Sequence, residues 1–286
     1  FMAIKGPTLS QLAYGDVISR QYVDLDILVE EKNLYLATKI LVKQNYSTSH
    51  SIDLLKNKNY CILDNDFSIY SPNKSTHIEL HWRLFRKKIS SNIGFNDYYN
   101  SKLNVLLNQN SISTLSLENL LVYLCIHGAK HSWERIEWLN DINFLIENNY
   151  NKINWNIVIN ISERMKSKIA LLLGLNIIND LYNTTLPPEI LEEINTDSIV
   201  ELRNVIFYFL ENSPENKENY FSQFKIMLFQ IKLFEDNQQK ISYILNSYFS
   251  ITRNDYFFLP LPSYLNLLYY LIKPFRLIYK SLFPNK

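Results

Sequence analysis

The stretch RQYVDLDILVEE, Arg20 to Glu31, decides how the first part of the chain folds. Aliphatic residues occupy positions 23, 25, 27 and 29, and this alternation predicts a β-strand with one apolar face. Asp24 and Asp26 then share the opposite face. Like charges at this spacing repel each other and are costly to bury, so this face is either solvated or holds a cation.

The amino-acid composition predicts a folded protein with almost no net charge. The 286 residues are 47% hydrophobic, enough for a sizeable core and for about two domains. A net charge of +1 gives no strong attraction for nucleic acid. Cys61 and Cys125 are far apart and form no C-x-x-C motif, which indicates a reducing compartment, so a cytoplasmic location is predicted.

The first residues, FMAIKGPTLS, lack the pattern of a secretory signal. FMAIK predicts a strand that begins before Phe1. Gly6 and Pro7 are typical of a helix start. We therefore expect that a segment upstream of Phe1 is missing from this sequence.

Periodicity changes near residue 112. Before it, strands are predicted over Phe1 to Lys5 and Val23 to Val29, a helix over Asn33 to Gln44, and strand-like runs in NYCILDN, DFSIYSP and THIELHWRL. After it, long segments follow the 3.6-residue period, with Ser116 as a helix N-cap. The prediction is an α+β protein, with a small mixed β-sheet domain with helices in residues 1–112 and a mostly α-helical domain in residues 113–286.

A third acid follows in THIELHWRL. His77, Glu79 and His81 share one face of the predicted strand, so Glu79 would lie beside Asp24 and Asp26 if the two strands are neighbours. Divalent cations such as Mg²⁺ or Mn²⁺ would neutralise three converging acids, and paired ions of this kind serve nucleotidyl or phosphoryl transfer. Mutual repulsion also predicts that Asp26→Asn raises stability. A solvated strand face is the alternative.

Several motifs in one order resemble a known family. IKGPTLSQLAYG, Arg20, DLDILV, HIELHWRL and HGAKHSWERIEWLNDI are similar to the uncharacterised bacterial nucleotidyltransferase family of the polymerase-β-type superfamily. The resemblance implies a small mixed β-sheet nucleotidyltransferase domain, Mg²⁺ or Mn²⁺ as cofactor and a nucleoside triphosphate such as ATP as substrate. Pro7 and Thr8 depart from the Gly/Ser-Ser pattern that usually follows the glycine in the superfamily.

The resemblance also assigns residue roles. Asp24 and Asp26 match the metal-binding acids, and Glu79 matches the third acid, so all three are implied to be catalytic and metal-binding. Gly6 would let the backbone approach the phosphates, with the following helix N-terminus facing the anion. Lys5 and Arg20 are implied as phosphate ligands.

The motif HGAKHSWERIEWLNDI leaves several interpretations open. His127 and His131 are four residues apart and could share a zinc ion, although no third ligand is evident nearby. Lys130, His131 and Arg135 are candidates for binding the nucleotide, and simple helix packing is the alternative. Asp141 is expected to form an ion pair with Lys or Arg of the same motif.

The C-terminal run, residues 256–286, is aromatic and basic. Prolines and charged residues interrupt its apolar stretch, so it is a poor membrane span. Packing onto the helical domain is predicted, and weak contact with a membrane surface is the alternative.

These patterns predict a metal-dependent nucleotidyltransferase. It would move a nucleoside monophosphate from an NTP to a hydroxyl or phosphate of an unidentified small-molecule, saccharide or peptide acceptor. One alternative is a noncatalytic protein that binds a nucleotide or a partner on the same fold. Another is a phosphotransferase that uses the same metal site.

Overall fold

A computed structural model describes residues 1–85, 93–211, 220–249 and 251–282. The described strands are β1 (Met2–Ala3), β2 (Asp24–Leu28), β3 (Ser47–Thr48), β4 (Asp66–Tyr70), β5 (His77–His81), β6 (Leu103–Leu107) and β7 (Asn110–Thr114). The described α-helices are α1 (Pro7–Tyr14), α2 (Leu34–Lys43), α3 (Lys58–Leu63), α4 (Phe95–Asn100), α5 (Leu117–Lys130), α6 (Ile136–Glu147), α7 (Trp155–Arg164), α8 (Lys168–Tyr182), α9 (Pro188–Ile194), α10 (Asp197–Glu211), α11 (Tyr220–Lys232), α12 (Asn237–Phe249), α13 (Arg253–Phe258) and α14 (Tyr269–Leu282). Short 3-10 helices span Glu31–Asn33, Ile52–Lys56, Tyr150–Lys152 and Ser263–Leu268.

All of these strands form one mixed sheet in the order β3-β4-β5-β2-β1-β7-β6. β2 lies at the centre, parallel to β5 and antiparallel to β1. β1 is parallel to β7, and the outer neighbours β3–β4, β4–β5 and β6–β7 are antiparallel. The α+β fold class, with a sheet followed by a mostly helical region, is confirmed.

Two strand predictions need correction. NYCILDN is not a strand, because residues 58–63 form α3, in which the neighbours Tyr60 and Cys61 are both buried. A short apolar run does not distinguish a strand from a buried helix. The sheet also extends past the predicted change at residue 112, through a β6–β7 hairpin that the sequence analysis missed. Its turn places Asn108 and Gln109 at positive φ. A domain boundary between residues 112 and 113 stays a prediction.

Helix α5 begins as predicted and forms the centre of the first hydrophobic cluster. The Ser116 hydroxyl caps it by accepting a hydrogen bond from the Asn119 amide, at 3.3 Å. Gly128 does not break the helix, because α5 continues to Lys130. A β-carbon at position 128 would overlap the ring of Trp133, which is fully buried. This glycine therefore makes room for a core tryptophan.

The two faces of the sheet contribute to different hydrophobic clusters. Leu28 belongs to the first cluster, together with the core of α5, α6 and α8. Leu25 and Ile27 pack against the second cluster, which includes Leu34 of α2. Since side chains alternate along a strand, Asp24 and Asp26 lie on the face of the sheet opposite to α2.

The C-terminal segment packs on the sheet, not on the helical region as predicted. Tyr256 and Tyr269 are buried in the second cluster with Phe67, Ile69 and Trp82. α13 contacts α3, and Asn57 donates a hydrogen bond to the Tyr256 hydroxyl at 2.8 Å. Asn57 and Tyr256 are 199 positions apart, and the local periodicity of a sequence cannot predict contacts between such distant segments. Residues 283–286 of the predicted membrane-contact segment lie outside the described residues. In the part of the chain that the structure describes, no helix is long and apolar enough to cross a membrane.

Candidate active site

Strands β2 and β5 bring the predicted acids together. In their parallel register Asp26 lies opposite Glu79, and Asp24 lies opposite His77. Because paired residues in neighbouring strands project to the same face, all four side chains lie on one surface of the sheet. The prediction that the two carboxylate strands are neighbours is confirmed.

The ligand atoms form two overlapping groups. One oxygen or nitrogen each from Asp24, His77 and Glu79 lie within 4.8 Å of one another, and the same holds for Asp26, Glu79 and His81. Glu79 belongs to both groups. Sequence analysis assigned no role to His77 and His81, although the alternation in HIELH already placed them beside Glu79.

Two cationic side chains contact Asp26, which is itself buried. The Nε2 atom of His81 lies 2.8 Å from Oδ1 of Asp26 and 3.5 Å from Oε2 of Glu79. The Nζ atom of Lys5 lies 3.5 Å from Oδ2 of Asp26. Asp26 is therefore partly neutralised by the chain itself.

The pKa values of Asp26, Glu79 and His81 respond differently to this environment. Burial opposes ionisation of Asp26, but the His81 hydrogen bond and Lys5 outweigh it and lower the pKa of Asp26. The His81 hydrogen bond also lowers the pKa of Glu79. Burial alone would lower the pKa of His81, but the carboxylates of Asp26 and Glu79 raise it to about 9.

Asp24 is the least compensated acid of the cluster. Burial, followed by the charges of Asp26 and Glu79, raises the pKa of Asp24. An added divalent cation would therefore stabilise the ionised form of Asp24 more than it stabilises Asp26, which already has two cationic partners.

Helix α5 lies next to this cluster. The Lys5 ammonium is 5.3 Å from the ring centroid of Tyr123, and the ring of Tyr123 stacks on that of His127 with centroids 6.0 Å apart. Burial, together with Lys5 and His131, lowers the pKa of His127 to about 2, so its imidazole is neutral. Neither His127 nor His131 belongs to a potential three-ligand metal group within the described ranges.

Gly6 adopts a backbone conformation that favours glycine, while its predicted role in phosphate binding stays a prediction. Its φ of 65° and ψ of −134° lie where side chains are rarely tolerated. An added β-carbon would lie 3.3 Å from the Leu25 side chain and 3.8 Å from the Asp24 carbonyl oxygen. Gly6 thus allows the start of α1 to approach strand β2.

Arg20 is held in a buried ion pair. Its Nε donates to both carboxylate oxygens of Asp141, each at 2.9 Å, and the Tyr14 hydroxyl donates to the same carboxylate at 2.9 Å. The Asp141 side chain is fully buried. The expectation that Asp141 pairs with a Lys or Arg of its own motif is wrong, because its partner is Arg20 from before β2, which ties that loop to α6. A phosphate-binding role for Arg20 stays a prediction.

Lys130, His131 and Arg135 lie around the turn between α5 and α6. Lys130 is the exposed last residue of α5, and the exposed Arg135 precedes α6. His131 is half-buried, and the centroid of its ring lies 5.6 Å from that of the Trp138 ring. Nucleotide binding by these three residues also stays a prediction.

Comparison with known proteins gives one family. A family model described as uncharacterised nucleotidyltransferase matches residues 1–183. This range covers the whole sheet, the acid cluster and the helices α1 to α8. No curated protein and no solved structure matches the chain.

Proposed function

Because the chain belongs to the uncharacterised nucleotidyltransferase family, we propose that it transfers a nucleoside monophosphate from an NTP, with Mg²⁺ or Mn²⁺, to a hydroxyl or phosphate of an acceptor. The family supports a nucleotidyltransferase-type activity. The observation that carries the proposal is the β2–β5 register, which brings Asp24, Asp26 and Glu79 onto one surface. The acceptor class remains a small molecule, a saccharide or a peptide.

The residues of the cluster fit a divalent cation. Carboxylate oxygens are the ligands that Mg²⁺ and Mn²⁺ prefer, and three of them converge here. Asp24, Asp26 and Glu79 would hold the metal, with Glu79 shared between the two groups. A bound divalent cation would neutralise triphosphate oxygens and the charge that develops during transfer.

The remaining roles follow from position and charge. We assign the half-buried Glu79 to accept the proton of an acceptor hydroxyl because of its place in the cluster, and the His81 hydrogen bond that lowers the pKa of Glu79 also weakens it as a base. Lys5 and Gly6 lie beside the acids, and we assign the Lys5 ammonium and the backbone at Gly6 to contacts with phosphate oxygens. We assign Lys130, His131 and Arg135 to outer contacts with the nucleotide.

A noncatalytic nucleotide-binding protein is the second candidate. Lys5 and His81 already neutralise Asp26, so this part of the cluster does not require a metal ion for stability. A phosphotransferase with the same metal site is distinguished from the proposal by which phosphate is transferred.

Both cysteines are free and buried, which supports the proposed cytoplasmic location.

Nucleotide binding should depend on a divalent cation and on Lys130. Calorimetry with a non-hydrolysable ATP analogue is expected to show binding in Mg²⁺ or Mn²⁺ and none in EDTA. Lys130→Ala should weaken the affinity roughly tenfold or more, the effect of one charge-assisted contact to phosphate. The matched control is Lys39→Ala, which removes an exposed lysine of α2, on the sheet face opposite to the acids.

Equal affinity in Mg²⁺ and EDTA would contradict the metal-dependent site. Equal losses in the Lys130→Ala and Lys39→Ala variants would place Lys130 outside the nucleotide site and attribute the loss to general charge.

A further inference from the structure

Four aromatic rings lie together where α5 ends and α6 begins, next to the acid cluster. The ring of Tyr123 lies beside the Lys5 ammonium and stacks on the ring of His127. The centroid of the His127 ring is 4.9 Å from that of the His131 ring and 4.9 Å from that of the Trp138 ring. Tyr123 is buried, whereas the other three residues are half-buried, so part of each remains accessible. We call His127, His131 and Trp138 the ring cluster.

The ring cluster offers polar groups as well as flat rings. Among the described residues, no hydrogen bond joins the His127 imidazole or the Trp138 indole to another group. The His127 imidazole is neutral, so it has one N–H donor and one nitrogen acceptor, and the Trp138 indole has one N–H donor. A ligand with a planar ring that carries donors and acceptors would satisfy both the ring faces and these polar groups.

The order of the strands places the ring cluster on one particular side of the acids. Lys5 follows β1, which lies on the side of β2 away from β5 and Glu79. With Glu79 assigned to the acceptor hydroxyl, the acceptor approaches over β5 and the triphosphate lies toward Lys5. Contacts then lead from Lys5 through Tyr123 to His127. A ligand whose phosphates bind at Lys5 therefore extends its other end toward the ring cluster.

We propose that the ring cluster of His127, His131 and Trp138 binds the base of the nucleoside triphosphate by stacking. In an NTP the ribose separates the base from the phosphates, which matches the separation of the ring cluster from the acids. This base subsite rests on the proposed function, because the phosphates must bind at Lys5 and the acids. Every base has an aromatic face, so stacking favours all four common NTPs over a triphosphate without a base.

Calorimetry of the full chain in Mg²⁺ tests the base subsite with two ligands. They are a non-hydrolysable ATP analogue and inorganic tripolyphosphate, which has three phosphates and no base. The parent should bind the analogue more tightly than tripolyphosphate, by roughly tenfold or more. Trp138→Leu should weaken binding of the analogue roughly tenfold and leave the affinity for tripolyphosphate unchanged, whereas Trp138→Phe keeps an aromatic ring and should retain most of the analogue affinity. Trp155→Leu is the matched control, because Trp155 is also half-buried but lies on α7.

Tryptophan fluorescence of the parent gives a second measurement that needs no variant. Trp82 and Trp133 are buried, so a base that stacks in the ring cluster should act mainly on Trp138. We expect the ATP analogue to quench the fluorescence and tripolyphosphate to leave it unchanged. Thermal unfolding checks that the variants are folded.

Three results would overturn the base subsite. They are equal affinity of the parent for the two ligands, equal loss of both ligands in Trp138→Leu, and no quenching by the analogue. Equal loss of both ligands would give Trp138 a structural role. Failure of the proposed function is a different result, because a parent that binds the analogue as expected but releases no pyrophosphate from ATP in cell extract would refute transfer and leave the base subsite in place.

Discussion

Asp24→Asn should abolish pyrophosphate release and, in EDTA, make the folded protein more stable. The variant removes a predicted metal ligand, and loss of such electrostatic stabilisation typically costs roughly a hundredfold or more in rate. It also removes the acid whose ionised form is least favourable, because burial and the charges of Asp26 and Glu79 raise the pKa of Asp24. Activity and stability are thus expected to change in opposite directions.

The stability gain should depend on pH. A carboxyl group with a raised pKa in the folded state destabilises the protein above that pKa, where folding must keep an unfavourable charge. Below the unfolded pKa of an aspartate, about 3.9, the group is protonated in both states and the penalty disappears. Urea unfolding in EDTA should show a gain for Asp24→Asn at neutral pH that shrinks as the pH falls toward this value.

Asp26→Asn is the contrasting variant. Its side chain pairs with His81 and Lys5, and these partners lower the pKa of Asp26, so its charge stabilises the fold. The sequence predicted a stability gain for Asp26→Asn from relieved repulsion, and this prediction is wrong in sign given these contacts. We expect Asp26→Asn to lose both activity and stability.

Full activity in a folded Asp24→Asn protein would refute the metal-ligand role of Asp24.

Arg20→Ala should destabilise the protein by about 3–5 kcal/mol, the usual cost of removing one partner from a buried ion pair. Burial raises the pKa of Asp141 even though Arg20 opposes this, so the variant leaves a carboxyl group with an unfavourable charge and one hydrogen-bonding partner fewer. Denaturant unfolding measures the effect. The control is Arg203→Ala, because Arg203 pairs with the more exposed Asp180 at 2.8 Å and should cost less than about 1 kcal/mol.

The same variant decides between two roles of Arg20. If Arg20→Ala lowers stability but leaves nucleotide affinity unchanged, Arg20 joins the loop before β2 to α6 and does not bind phosphate. A small stability loss with a large loss of nucleotide affinity would instead support the phosphate-binding role and contradict the structural one.

The acids could be predicted from sequence because they follow a simple period. Alternation around Asp24 and Glu79 indicated two strands with acidic faces, and a sheet that contains both strands side by side brings those faces together. The start of α1 after Gly6 and the N-cap of α5 at Ser116 depend on local backbone chemistry, which is also readable from sequence.

Other features depend on register and on distant contacts. The contacts of Lys5 and His81 with Asp26, which reverse the expected effect of Asp26→Asn, require the exact pairing of β2 with β5 and the position of β1. The α3 helix was missed because its short apolar run fits either period. The packing of Tyr256 against the sheet joins segments far apart in sequence, for which no local pattern exists.

Label transfer tests the central claim most directly. The parent and Asp24→Asn are incubated with cell extract and Mg²⁺ or Mn²⁺, using ATP or another NTP labelled at the α-phosphate or at the γ-phosphate. We predict that the parent transfers the α-label to an acceptor, that EDTA abolishes the transfer, and that Asp24→Asn transfers at most about a hundredth as much. Transfer of the γ-label alone, or equal α-label transfer by the parent and Asp24→Asn, would contradict nucleotidyl transfer at this acid cluster.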